Sequence, residues 1–135
     1  MPVLCIDFDG TLVEHDYPRI GALRPNVIEV LTRFKKEGFR LILLTCREDG
    51  DEPGRDYLTQ AVEFMRGHRI EFDAVNEPLS FEEEGGWRPT KLRRKPHGNV
   101  FIDDRNLGGI PFDWLDIYKQ VHKQLRLGNP VENLR

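Results

Sequence analysis

The stretch Val3-Leu4-Cys5-Ile6-Asp7-Phe8-Asp9-Gly10-Thr11 passes without a break from an apolar run into two acids, a glycine and a threonine. A short, nearly continuous apolar run suits a strand buried on both faces of a parallel sheet. Residues 40–45 (RLILLT) and 99–102 (NVFI) read the same way, and residues 72–75 (FDAV) form a shorter candidate. Between the first two runs, residues 26–36 carry Val27, Val30, Leu31 and Phe34 at helical spacing, with Pro25 at the start and Gly38 past the end. A second helix is predicted over residues 55–66, with Leu58, Ala61, Val62 and Met65 on one face. A third is predicted over residues 112–127, burying Leu115, Tyr118, Val121 and Leu125 and closed by Gly128 and Pro130. Strands alternating with helices argue for an α/β fold with a mostly parallel sheet covered on both faces.

The length of 135 residues fits a single domain, 1–135, with a core of its own. A net charge of −3 is too small to select a partner by long-range attraction. Cys5 and Cys46 are too few for a disulfide framework and read as two reduced core thiols. No apolar segment approaches membrane-spanning length and no leader pattern opens the chain, so the expectation is a cytoplasmic protein that does not engage a membrane.

The acids carry the chemistry. In open α/β sheets ligands bind beyond the carboxyl ends of the strands. Asp7 and Asp9 end the first strand, and Asp103 and Asp104 end the last. If those strands are neighbours, four carboxylates converge, and a hard divalent cation would relieve their repulsion. The all-oxygen set favours magnesium over zinc, with Asp7, Asp9, Asp103 and Asp104 as candidate ligands. Helix capping by strand-end aspartates would explain one such pair but not two at matching ends. A carboxylate beside a metal is a competent nucleophile toward phosphorus. Asp7 takes that role and Asp9 that of general acid, then base. Thr45, ending the second strand, would donate to phosphoryl oxygens, and a lysine, Lys91 or Lys95, would balance charge.

These residues resemble a family. Asp7-Phe8-Asp9-Gly10-Thr11-Leu12 looks like the DxDGT signature of haloacid-dehalogenase-like phosphatases. Residues 41–45 resemble the second motif of that family, Lys95 or Lys91 the third, and Phe101-Ile102-Asp103-Asp104 the fourth, in family order. The resemblance implies a Rossmann-like three-layer sandwich with strand order 5-4-1-2-3. It implies a magnesium-dependent phosphomonoesterase working through an aspartyl-phosphate on Asp7. Lys95, eight positions before Asp103, resembles the spacing of small members and is preferred. The short spans between motifs resemble the capless group, with residues 13–21 as a flap over the site. Gly10, Thr11, Thr45, Cys46, Arg47 and Lys95 become the candidate phosphate-binding set.

An open site suits a phosphorylated small molecule or a nucleic-acid end. Thr45-Cys46-Arg47 and Asp103-Asp104-Arg105 partly resemble end-healing phosphatase domains. A homo-oligomer that completes the site is compatible with a capless fold. Arg47 has two readings: contact with the leaving group, or a surface pair with Glu48 or Asp49. The cluster of Arg88, Lys91, Arg93, Arg94, Lys95 and His97 is either a phosphate track or a solvated loop balancing Glu82, Glu83 and Glu84. Trp87 would stack a base or pin its loop to the core. His15 and His68 read as incidental, and Trp114 and Tyr118 as core. The main competing class is a phospho-aspartate signalling module, which uses similar acids but has no role for Asp9-Gly10-Thr11.

Overall fold

The computed structural model describes residues 2–79 and 98–127. Lys91, Lys95, Trp87, the basic cluster and the helix-closing Gly128 and Pro130 lie outside them. Four parallel strands form one sheet: β1 (Val3–Ile6), β2 (Arg40–Leu43), β3 (Ala74–Val75) and β4 (Val100–Ile102), in the order β3-β2-β1-β4. The described helices are α1 (Val27–Lys36), α2 (Tyr57–Gly67) and α3 (Trp114–Leu127). No helix among the described residues is long and apolar enough to cross a membrane.

The continuous apolar run of β1 buries all four residues because it lies inside the sheet, paired with β2 on one side and β4 on the other. Alternation divides the strands between two clusters. Leu4, Ile6, Leu41 and Leu43 pack with buried residues of α1, α2 and α3. Val3, Cys5 and Ile42 face the other way, against Leu79. Among the described residues no helix joins this second cluster, so the covering layer expected there is not among them.

Boundaries follow local chemistry. Helix α1 ends with Gly38 at a positive φ of 93°, the left-handed conformation glycine adopts freely. Strand β3 is shorter than expected, because the Asp73 carboxylate accepts from the backbone N–H of Leu41 at 2.7 Å and ends the ladder. Helix α3 differs more. Leu115 is exposed, while Val121 is buried as expected, Tyr118 and Leu125 pack half-buried against the core, and Trp114 and Ile117 are buried with them. The cause is the Trp114 indole N–H, which donates to the Thr11 carbonyl at 2.9 Å and turns that face of the helix inward. Phe112 lies before the helix and is exposed. Cys5 is buried as expected, but Cys46 is exposed, since β2 stops at Leu43 and Cys46 falls on the loop beyond it.

Trp114→Phe keeps most of the buried area but leaves the Thr11 carbonyl without its main donor. It should destabilise the fold by about 1–2 kcal/mol in urea titration, and an effect near zero would show the bond to be dispensable.

Candidate active site

The adjacency of β1 and β4 brings the two acidic strand ends together. Asp7 follows β1, and its backbone N–H donates to the Ile102 carbonyl of β4 at 3.0 Å, which fixes it beside Asp103. Carboxylate oxygens of Asp7, Asp103 and Asp104 lie within 4.8 Å of one another. Burial pushes the Asp7 carboxyl up to about 6; Asp103 and Asp104 add to this, while the Phe8 N–H and Arg105 oppose it. Burial also pushes Asp103 up, but hydrogen bonds from the Arg105 side chain and backbone outweigh it and hold Asp103 below the usual carboxylate range. Asp104 offers Oδ2 to His15 Nε2 at 2.9 Å, whereas its Oδ1 is buried with no hydrogen-bond partner among the described residues. A buried orphan oxygen beside a crowded carboxylate pair fits a hard cation, because oxygen donors of one sign are what such an ion coordinates.

The loop after β1 is built to keep this geometry. Gly10 sits at φ 82°, and a Cβ there would lie 2.1 Å from His15 Nε2 and 2.5 Å from Asp104 Oδ2. Thr11 is fully buried, and its hydroxyl accepts from the Asp104 backbone N–H at 3.2 Å. Arg24 reaches under the loop to the Gly10 and Pro111 carbonyls, at 2.7 and 3.0 Å. Gly10 and Thr11, expected among the phosphate-binding residues, shape the loop; Gly10 lines one cavity with His15 and Asp104, and neither lines the cavity in front of Asp7.

That cavity, of about 370 Å³, is lined by Asp7, Asp9, His15, Tyr17, Thr45, Cys46, Arg47, Asp104 and Arg105. Thr45 is held by its backbone N–H donating to Asn76 Oδ1 at 2.8 Å, and its hydroxyl accepts from the Arg47 N–H at 3.1 Å. The hydroxyl proton is left to point elsewhere. Residues 13–21 form the expected flap, whose base closes through the Val13–Leu23 bridge and the bond from the Glu14 N–H to the Ala22 carbonyl.

Asp9 and Arg47 differ most from expectation. The Asp9 side chain stands apart from the three-carboxylate cluster. Both of its oxygens accept from Arg47, at 2.8 Å from Nε and 2.7 Å from Nη2. Arg47 lines the cavity, is 1% exposed and pairs with neither Glu48 nor Asp49, so the predicted surface pair is not made. Its remaining N–H groups donate to the carbonyls of Pro18, Arg19 and Tyr57. All five guanidinium donors are thus engaged within the protein. Arg47 ties Asp9, the flap and the start of α2 to one point, with no donor left for a substrate.

His15, read as incidental, stands on the cavity wall against Asp104; its only sequence signal was membership of the flap. Asn76 and Arg105 were also missed as site residues. Asn76 could have been suspected from its place just past a strand, where a side-chain amide can replace a ladder partner.

Parallel strands ending in clustered acids beneath a flap define an α/β protein with a strand-end acidic site. No family model and no curated protein matches the chain. Among solved structures, the conserved protein coded by locus from Bacteroides thetaiotaomicron is similar, with 40% identity over 91% of both chains and a TM-score of 0.75. At that identity and coverage the chain belongs to the family of this conserved bacterial protein.

Proposed function

We propose that this chain is a capless phosphomonoesterase of the haloacid-dehalogenase-like type, acting through an aspartyl-phosphate on Asp7. The observation that carries the reading is the Asp7–Asp103–Asp104 cluster, opening on a cavity beyond the strand ends, with Asp104 Oδ1 buried and without a partner among the described residues. Those three residues would hold magnesium, which supplies charge neutralisation for the phosphoryl oxygens. Asp7 attacks phosphorus, and Asp9 protonates the departing alkoxide. Asp9 then takes a proton from the water that hydrolyses the aspartyl-phosphate, releasing inorganic phosphate and restoring Asp7. Each Asp9 oxygen takes one bond from Arg47, so the proton transfers use the lone pair that each oxygen has left. The Thr45 hydroxyl donates to the phosphoryl group. The resemblance assigns charge balance to Lys95.

The test is phosphate release from sugar phosphates, nucleotides and 3′- and 5′-phosphorylated oligonucleotides, with magnesium and with chelator. Magnesium-dependent release supports the reading, and no release from any member overturns it.

Arg105 bears on the metal. It holds both Asp103 oxygens, with Nη2 at 2.9 Å from Oδ2 and Nε at 3.3 Å from Oδ1, so a cation must compete with it. Arg105→Ala should tighten magnesium binding about three- to tenfold in calorimetry. Weaker binding would show that Arg105 supports the site instead.

The engagement of Asp9 by Arg47 also favours a second reading, a phospho-aspartate switch with slow turnover. Treatment with acetyl phosphate separates the two. A phosphoprotein that persists after the donor is removed supports the switch, and rapid loss supports the enzyme.

A further inference from the structure

One wall of the cavity is aromatic, and the proton and phosphoryl chemistry above makes no use of it. Tyr17, at the flap tip, is 55% exposed although it is a large ring beside a polar site. It is not free to collapse. The Arg47 guanidinium lies over the Tyr17 ring at 5.1 Å and over the Phe8 ring at 5.1 Å. The Arg47 plane is itself fixed at its edges by the Asp9 carboxylate and the Pro18, Arg19 and Tyr57 carbonyls. Tyr57 meets Tyr17 edge-on, with centroids 5.7 Å apart and planes at 70°. The base of the flap closes tightly: a Cβ on Gly21 would lie 2.1 Å from the Glu14 carbonyl oxygen.

Tyr17 is therefore an immobilised plate, supported by a buried cation on one side and a second ring at its edge. An exposed ring ordered in this way pays its conformational entropy in advance, which is what makes an aromatic a good surface for another ring. It lines the same cavity as Asp7, Asp9 and Thr45, so a group stacked on it can belong to a molecule whose phosphate lies at Asp7.

We infer that Tyr17 determines specificity and that the substrate is a phosphomonoester whose leaving group carries a planar ring. This rests on the phosphatase reading of the carboxylate cluster. Two sources share this chemistry, a nucleotide base and an aryl ester. A leaving group without a ring, such as glycerol, would leave the Tyr17 face wet and gain nothing from it.

The experiment is calorimetry with magnesium on Asp7→Asn protein, which lacks the nucleophilic charge and keeps Asp103 and Asp104 for the metal, using adenosine 5′-monophosphate, phenyl phosphate and glycerol 3-phosphate. Each is titrated into the Tyr17, Tyr17→Phe and Tyr17→Ala forms. The expected result is that a ring-bearing ligand binds roughly tenfold more tightly than glycerol 3-phosphate. Tyr17→Ala should erase that margin and Tyr17→Phe should keep it. A margin for adenosine monophosphate alone identifies a base, and one for both ligands identifies any aryl ring. Equal affinities in the Tyr17 form, an equal loss for all three ligands in Tyr17→Ala, or a loss in Tyr17→Phe matching that in Tyr17→Ala would overturn the inference. Hydrolysis by the Asp7 protein is measured in parallel. Turnover without ring preference removes the role of Tyr17 and leaves the phosphatase, whereas ring-selective binding without turnover does the reverse.

Discussion

Replacing Asp7 by asparagine is expected to abolish phosphate release while making the metal-free protein more stable at neutral pH. The substitution keeps volume and removes the nucleophilic charge, so turnover should fall by roughly 10⁴ or more. The stability gain follows from crowding. The Asp7 carboxyl is part-buried among Asp103 and Asp104, and its pKa of about 6 lies above that of an unfolded aspartate. The folded state then binds the proton more tightly than the unfolded state does. Stability is fully present below about pH 4 and is lost as pH rises to about 6, after which the ionised carboxylate carries the whole cost. After solvent screening that cost is about 1–2 kcal/mol. Melting curves in chelator should place Asp7→Asn above the parent at pH 7 and level with it at pH 4. Equal stability at both pH values, or hydrolysis unchanged by the substitution, would contradict the assignment.

Arg47→Ala should be the most destabilising single change at the site, at about 3–5 kcal/mol. It strips Asp9 of its partner and leaves the Pro18, Arg19 and Tyr57 carbonyls without donors beneath the flap. For a chain of this size the melting temperature should fall by roughly 10 °C or more. Amide exchange should speed up first in the flap and at the start of α2, the segments the guanidinium joins. Arg47→Lys keeps the charge but loses the planar fork, and it should recover only part of the loss. A fall of less than 2 °C in Arg47→Ala would mean that neighbouring groups and water replace the guanidinium.

Much of the fold was legible because its signals are local. The apolar run of β1, the 3.6-residue spacing of α1 and the Gly38 stop each depend on residues a few positions apart, and the structure places those elements within a residue or two of expectation. In α3 the core places of Trp114, Tyr118 and Val121 were legible, but the exposure of Leu115 was not. A hydrogen bond from Trp114 to Thr11, distant in sequence, sets that rotation. The same division runs through the site. Asp7, Asp103, Asp104 and Thr45 could be named because strand ends are recognisable and ligands gather there. The partners of Arg47, and the contact of His15 with Asp104, could not.

The sequence by itself determined the class of fold and the strand-end position of the acids, because hydrophobic period and residue type encode them directly; the flap came from the family resemblance. Only the tertiary structure decided which acids meet and which are held apart. It aligned Asp7 with Asp103 and Asp104 by pairing β1 with β4, and turned Asp9 away onto a buried arginine. The physical reason is that a charged group takes whichever partner the folded chain brings within about 3 Å, and that distance is fixed by packing between segments far apart in sequence.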